Sequence, residues 1–352
     1  VSIAHILTHK RHTRQLKNWA MEIPKSMRCL LVTKQNNGAI ERRVTTVATS
    51  ALPAGDVLLQ VQFSSLNFKD ALAASGHSGV VSRFPHVPGI DAAGTVVESS
   101  SPKFRTGDKV IATSFELGAA RWGAYAELIR VPADWVVPLP ATLTMKESMI
   151  LGTAGITAAL CVEAIQRQGI ESTSGNVVVT GASGGVGTLA VAMLAQAGFR
   201  VSAVTGKPAA ADLLRRLGAQ EILSREAVTD ASGQPLLKAR WAAAVDTVGG
   251  TVLSTLLRTT NERGCVTACG LVGGVDLPIT VYPFILRGVV LAGIDSASYP
   301  ADKRPALWAK LAGPLKPALL NDLAVEVPLA GLESKIEDIL AGRVVGRIVV
   351  KI

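Results

Sequence analysis

The stretch VVVTGASGGVGTLAVAMLAQAGF, residues 177–199, runs apolar, then glycine-rich, then apolar again, without one charged side chain. Its turn, Ala182-Ser183-Gly184-Gly185-Val186-Gly187, stands where a strand-like run gives way to a helix-like one. There, glycines let the backbone approach a pyrophosphate closely, and a helix N-terminus holds the charge. The first position is Ala182, where the general pattern has glycine. A tight helix–sheet crossing without a ligand is the competing reading, but six alternating strands favour a dinucleotide. The end of the next strand selects which one. NAD sites usually carry Asp or Glu about 20 residues past the glycines, on the ribose 2′-hydroxyl. Here the stretch is Thr205-Gly206-Lys207, with no acid before Asp212. A carboxylate repels a 2′-phosphate, whereas a hydroxyl, a free amide and an ammonium attract it. The expected cofactor is NADP(H), with Lys207 either a phosphate contact or a solvated loop lysine.

These residues need a scaffold, and the chain supplies two kinds. From Met27 to about Lys146, short strand-like runs alternate with Gly/Pro punctuation: DVLLQVQF (56–63), AGTVVES (93–99), GDKVIAT (107–113) and GAYAELIRV (123–131). That rhythm predicts a barrel-like β domain, ended by the punctuation of Pro138 to Thr142 and followed by an alanine-rich helix over 146–166. After Gly175, strands are predicted at 177–180, 200–204, 221–223, 243–246, 265–269 and 289–293. Helices are predicted at 186–197, 209–217 and 251–260. Apolar strands joined by helices imply a doubly wound parallel sheet covered on both faces. The expected division is 1–26, a basic disordered extension; 27–147, the catalytic β domain; 148–294, the dinucleotide domain; and 295–352, closing with an amphipathic helix and a last strand.

At 352 residues the chain has room for two cores. The net charge is +9, of which residues 1–26 hold +4 and the body +5, with no dense basic tract to announce nucleic acid. The extension carries His5, His9 and His12 but no apolar signal core, which leaves an organellar transit peptide open and excludes a secretory signal. The uncharged run 172–199 is broken by its glycines, so no membrane span is expected. Cys29, Cys161, Cys265 and Cys269 are scattered without C-x-x-C, as in a reduced, cytoplasmic protein.

Several stretches, in order, carry a resemblance: SSLNFKDALA (64–73), FPHVPGIDAAGTV (84–96), GTAGITAALCV (152–162), TGASGGVG (180–187), DTVGG (246–250), ACGLVGG (268–274), PFILRGVVLAGIDS (283–296) and GRIVVKI (346–352). From Met27 onward the chain resembles the medium-chain dehydrogenases/reductases, in the zinc-free group of acrylyl-CoA reductase (AcuI) and the YhdH/YhfP quinone oxidoreductases. The resemblance implies a GroES-like β-barrel catalytic domain, a Rossmann domain, and a return of the chain to the first domain over 295–352. Zinc-dependent relatives have His-Glu where this chain has Ile90-Asp91. Isoleucine cannot ligate zinc, so no metal is expected and Asp91 is read as structural.

The resemblance also assigns residues. Thr157, Cys269, Gly270, Leu271, Phe284, Ile285 and Arg347 join Ala182–Val186 and Thr205–Lys207 as cofactor contacts. The other reading of Thr157 is helix packing, and of Arg347 a solvated strand-edge arginine. Asn67 and Phe68 fall near the nicotinamide, with Asn67 equally readable as a turn residue. Relatives often have Tyr at Phe68, so here water or a cofactor hydroxyl must supply any proton a tyrosine would give. Lys69 and Asp70 open a helical stretch, Asp70 as a favourable N-terminal charge. Without a metal, hydride must pass directly to an electron-poor carbon, the natural acceptor being a C=C bond conjugated to a carbonyl. The implied reaction reduces a short enoyl-CoA, acryloyl-CoA foremost, to the saturated acyl-CoA. The alternatives are a quinone or enone reductase, and a non-catalytic NADPH-binding protein. The run GVVLAG (288–293) suits sheet extension in a homodimer.

Overall fold

The computed structural model describes residues 23–352, so most of the basic extension lies outside the described residues. The strand-rich first third forms a hairpin of β1 (Ser26–Lys34) and β2 (Ile40–Ala48), then β3 (Val57–Leu66). A short helix, α1 (Phe68–Ala74), precedes β4 (Asp91–Ser99), β5 (Lys109–Thr113), β6 (Leu128–Val131) and β7 (Val136–Pro138). Strand β4, DAAGTVVES, is buried almost throughout because β3 and β5 flank it and α2 (Met145–Arg167) packs over it.

Helix α2 joins the two lobes. Thr144 and Glu147 form a capping box at its start, and the expected boundary at 147/148 falls within its first turn. Its composition is apolar enough to cross a membrane, yet it is largely buried inside the protein, against α3 and strands of both sheets. At Gly152 the backbone turns to φ 48°, ψ −152°, and the helix restarts at Thr153.

Beyond it, β8 (Asn176–Val179), α3 (Gly185–Gln196), β9 (Arg200–Val204), α4 (Ala211–Arg216) and β10 (Ala219–Leu223) build the first half of a parallel sheet. The second half is β11 (Trp241–Asp246), α5 (Gly250–Thr259), β12 (Thr260–Ala268), α6 (Tyr282–Arg287) and β13 (Val290–Gly293). The spatial order β10-β9-β8-β11-β12-β13 is the doubly wound arrangement, with its reversal beside β8. Strand β12 starts five residues before the expected 265, because Thr260 pairs with Trp241 across a register shift. The predicted helix over 209–217 opens as a 3₁₀ turn, Pro208–Ala210.

The chain then makes α7 (Arg304–Leu311), β14 (Ala324–Pro328), α8 (Leu332–Leu340) and β15 (Arg347–Lys351). Strand β15 lies antiparallel to β3, Ile348 opposite Leu66, so the seven-stranded sheet runs β14-β15-β3-β4-β5-β7 with β6 on β3. This places Arg347 on the seam between the lobes.

Candidate active site

A cleft of about 810 Å³ separates the lobes. Its dinucleotide end is built mainly from backbone. The first amides of α3 have no intrahelical partners, and Gly184 caps the helix with extended geometry. A Cβ on Gly187 would collide with the Gly181 carbonyl and sit 2.7 Å from the Ala182 Cα. At the end of β9, the Thr205 hydroxyl donates to Ser183 Oγ at 2.8 Å and accepts from the Lys207 amide at 3.1 Å. The Lys207 ammonium donates to the Val344 carbonyl, and burial, then the neighbouring Arg225, pushes its pKa below the ordinary lysine value. A Cβ on Gly206 would lie 2.6 Å from the Arg225 Cζ, so the missing side chain admits a second cation. A hydroxyl and two cations around an acid-free strand end fit a 2′-phosphate, and the glycine turn fits a pyrophosphate. The residues present therefore accommodate NADP(H).

The opposite end is built from side chains. Leu66, Phe68, Ile90, Phe115 and Ala154 give it an apolar wall, interrupted by Asn67, Ser114, Thr153, Thr157 and Ser296 and by the charged Lys69, Asp295 and Arg347. Behind the wall lies a buried polar network. Asp91 accepts from Ser65 Oγ (2.6 Å), Asn67 Nδ2 (2.9 Å), and both the amide and the hydroxyl of Thr153, the latter at 2.6 Å. The Gly152 conformation is what aims the Thr153 amide at this carboxylate; a Cβ there would sit 2.5 Å from Asp91 Oδ2. The arrangement seats an anion at a restarted helix N-terminus.

Asp70 shares the same amide, Asn67 Nδ2 lying 3.1 Å from its Oδ2, while its Oδ1 accepts from the Gly89 and Ile90 amides. Full burial, and then the Asp91 charge, raises its pKa to about 7. Arg347, 2% exposed, donates to Asn67 Oδ1 at 3.1 Å and to the Ile150 carbonyl at 2.8 Å. Burial lowers its pKa while Asp91 and Asp70 favour its charge. Tyr125, fully buried, donates to the Ser65 carbonyl, and burial followed by Asp70 raises its pKa.

Of the residues singled out from sequence, Asn67, Phe68, Thr157, Ser183, Gly184, Gly185, Val186, Thr205, Gly206, Lys207, Cys269, Leu271 and Arg347 line the cleft. The others do not. Ala182 is wholly buried in the core beneath the turn, its amide bonded to the Val204 carbonyl. Gly270 is a backbone crossing, packed against Thr247. Phe284 packs into the core cluster of β11 and α5, and Ile285 is exposed on the outer face of α6. Helix α6 turns both side chains away from the cleft, which an apolar stretch alone does not reveal.

Three side-chain readings also change. Arg347 is no solvated edge residue, because β15 is covered by β3 and α2. Asp70 caps α1, but as a buried group of raised pKa rather than a surface charge. The Thr157 hydroxyl donates to the Thr153 carbonyl of its own helix at 2.7 Å and lies 2.7 Å from Ser296 Oγ, from which it accepts, so packing and cleft lining coexist.

Sequence reasoning missed Arg225, Ser114 and Thr153. Signals existed for the last: an acid inside the apolar strand DAAGTVV, and a glycine inside the apolar helix MILGTAG. Among the described residues, no three His, Cys, Asp or Glu side chains cluster as metal ligands.

Residues 53–141 match the alcohol dehydrogenase GroES-like domain, and 185–312 the zinc-binding dehydrogenase family. The chain is 47% identical over 323 residues to Bacillus subtilis YhfP, named among quinone oxidoreductases, covering 92% of this chain and 98% of that one. It is 43% identical to the acrylyl-CoA reductase AcuI of Ruegeria pomeroyi, again over 92% and 98%. The crystal structure of Salmonella enterica YhdH in complex with NADP superposes with a TM-score of 0.88 at 46% identity, covering 92% of this chain and 99% of that one.

Proposed function

The chain belongs to the medium-chain dehydrogenases/reductases, in the group of acrylyl-CoA reductase AcuI and the oxidoreductases YhdH and YhfP, and from that premise we propose that it reduces the C=C bond of a short enoyl-CoA with NADPH, acryloyl-CoA to propanoyl-CoA. One observation carries the reading: a cradle that fits NADP opens directly onto an apolar pocket whose polar lining combines the amide of Asn67 and the hydroxyls of Ser114, Thr153, Thr157 and Ser296 with the charged Lys69, Asp295 and Arg347. Such a pocket suits a conjugated thioester, whose negative charge moves onto oxygen as the β-carbon accepts hydride. NADPH, when bound, supplies that hydride. The cradle residues Ser183, Gly184, Gly185 and Val186 would hold the pyrophosphate, Thr205, Gly206, Lys207 and Arg225 the 2′-phosphate. Thr157, Cys269, Leu271 and Arg347 would border the nicotinamide half, with Asn67 and Phe68 positioning the substrate. Ile90 offers hydrocarbon where a metal-bound alkoxide would need a ligand, which argues against alcohol oxidation.

The modest basic surplus of the body suits the phosphates of coenzyme A, and binding energy from that remote moiety orients a small acyl group. NADPH oxidation measured across enoyl-CoAs, enones and quinones tests the reading: acryloyl-CoA should show the highest kcat/KM. The name carried by YhfP favours quinone reduction as the second reading, and a quinone better by about tenfold would establish it instead.

The assembly proposed is a homodimer in a reducing cytoplasm. Strand β13 ends the parallel sheet with half-exposed residues, and Val281, Tyr282, Ile285 and Leu286 stand exposed beside it. An open edge with an apolar flank is suited to pairing with a second copy. Light scattering distinguishes dimer from monomer.

A further inference from the structure

Hydrogen-bond direction sorts the polar groups at the substrate end of the cleft. Asp91 only accepts, from Ser65, Asn67 and Thr153, and the Thr153 hydroxyl spends its one hydrogen on Asp91 Oδ1 at 2.6 Å. Ser114 Oγ lies 2.7 Å from Thr153 Oγ1, so the hydrogen in that contact belongs to Ser114. Likewise, the Thr157 hydroxyl donates to the Thr153 carbonyl, which leaves Ser296 to donate across the 2.7 Å between the two hydroxyl oxygens. Both serines therefore turn lone pairs, and no hydrogen, toward the cleft.

The other donors on this wall are committed as well. Asn67 Nδ2 serves Ser65, Asp70 and Asp91. Arg347, 2% exposed, turns its guanidinium to the Ile150, Leu66 and Met149 carbonyls and to Asn67 Oδ1. The Ser114 and Phe115 amides donate to the Ile90 and Ala297 carbonyls at 2.7 and 3.1 Å. Those bonds hold the two residues at φ of 63° and 53°, a region side chains disfavour. Among the described residues, one side chain at this end keeps its hydrogens for a ligand: Lys69, exposed in the first turn of α1 and lining the cleft. Its charge acts on Asp295, whose Oδ1 is already held by the Ala297 and Ser298 amides, and no ion pair among the described residues ties the ammonium down.

We propose that Lys69 is a catalytic residue, its ammonium donating to the thioester oxygen as charge develops there, while Ser114 and Ser296 accept from amide N–H groups of the bound molecules; the proposal rests on the enoyl reduction argued above. As the β-carbon accepts hydride and forms its new C–H bond, the C=C electron pair delocalises over the α-carbon and the thioester oxygen. Lys69 stabilises that oxygen without giving up its proton. The α-carbon then takes a proton from water at the open mouth of the cleft, the hydroxide passes to solvent, and the oxygen returns to a carbonyl.

Lys69 is exposed, so Lys69→Met and Lys69→Arg remove or keep the cation without opening a core. Loss of one oxyanion donor costs roughly 10²–10³-fold in kcat, so with NADPH and saturating acryloyl-CoA, Lys69→Met should lose about 100-fold while Lys69→Arg stays within about tenfold of the parent. A cation that only gripped the phosphates of coenzyme A would raise KM instead, and its effect would vanish with acryloyl-pantetheine, which carries no phosphate. The proposal requires the loss in kcat, relative to the parent, on both thioesters. A Lys69→Met protein with the parent kcat, or a loss confined to the phosphate-bearing substrate, overturns it. In a parent that turns over acryloyl-CoA, acetoacetyl-CoA bound with NADP⁺ reads the site without hydride transfer. The near-ultraviolet absorbance of its enolate should appear in the parent and in Lys69→Arg and be lost in Lys69→Met; equal absorbance in all three overturns the role of Lys69. A parent inert toward acryloyl-CoA that reduces a quinone retires the substrate reading, and Lys69 is then judged on that quinone, whose carbonyl oxygen gains the same charge: a kcat lowered about 100-fold in Lys69→Met supports its role, and an unchanged kcat overturns it.

Discussion

The two ends of the cleft solve the same problem, holding a polar ligand between apolar lobes, by opposite means. At the dinucleotide end the groups facing the pyrophosphate position are backbone amides in one contiguous turn, where close approach is bought with absent side chains, and only the rim adds the side chains of Thr205, Lys207 and Arg225. At the nicotinamide end they are side chains from β3, α1, β4, α2 and β15, locked to one another through buried hydrogen bonds. The first design leaves a compact trace in sequence. The second scatters it over Ser65, Asn67, Asp70, Asp91, Thr153 and Arg347, across nearly the whole described chain.

The contrast makes different substitutions costly at each end. The largest effect is expected from Gly187→Val, because the added atoms meet the Gly181 carbonyl and the Ala182 Cα rather than a side chain that could move. NADPH affinity measured by fluorescence titration should fall by more than about 100-fold, several kcal/mol being usual for a backbone clash of this kind. Binding within a few-fold of the parent would show that the turn can open, and that the cradle is less rigid than its glycines imply. At the other end, Arg347→Met should cost about 3–5 kcal/mol of unfolding free energy, as when one partner of a buried charge network is removed. Urea unfolding measures it. A much smaller loss would mean that Asn67 and the two acids hold their places without the guanidinium.

The same contrast explains what could be read from sequence. The six strands of the Rossmann sheet were legible because each is a short apolar run between glycine or polar punctuation, and the order follows from handedness and helix placement. The glycine turn that lines the cleft at the start of α3 was legible because Gly184, Gly185 and Gly187 are neighbours in the chain. Arg225 was not, since it lies 19 residues beyond Gly206 and reaches it only when β10 lies against β9. The hydroxyl line from Ser114 was invisible for the same reason: a serine and a threonine separated by 39 residues are ordinary until Gly152 breaks α2 and turns the Thr153 amide toward Asp91. Phe284 and Ile285 show the converse failure. A stretch matched to a family places residues near a site, but the helical phase of α6 decides which side chains face it.

A pH experiment isolates the nicotinamide end. Asp70 has a folded-state pKa raised from 3.8 to about 7, so between those values the native state holds a proton that the unfolded chain has lost. Stability from this group is therefore greatest at low pH and declines as pH rises toward 7. His86 acts in the opposite sense: burial lowers its pKa, so its contribution is lost as pH falls below the ordinary histidine value. Glu147, Asp230, Asp295 and Asp338 have lowered values, and their contributions are lost only as pH falls through and below the ordinary carboxylate range. Comparing the parent with Asp70→Asn cancels these common parts. Between pH 5 and pH 7 the parent should lose about 2–3 kcal/mol relative to the variant. Parallel curves would show that Asp70 is ionised throughout and that Asn67 and Arg347 outweigh its burial.

The smallest effect is expected where charge meets solvent, at the 2′-phosphate end of the cradle. Lys207 is half-buried and already held by the Val344 carbonyl, while Arg225 is exposed. A charge-assisted contact contributes about 1.5–3 kcal/mol, and solvent screening reduces that at a rim. Lys207→Ala should therefore raise the NADPH KM about tenfold, near 1.4 kcal/mol. Arg225→Ala should do somewhat less, because its guanidinium is more fully hydrated and reaches the site across Gly206. Neither should change the KM for NADH, which has no phosphate for these cations to hold. The double variant then tests whether the two cations act on one phosphate: contacts to a shared group are coupled, so the combined loss should differ from the product of the single losses. Equal use of NADH and NADPH by the parent would overturn the assignment, since Thr205, Lys207 and Arg225 would then surround a position that carries no ligand charge.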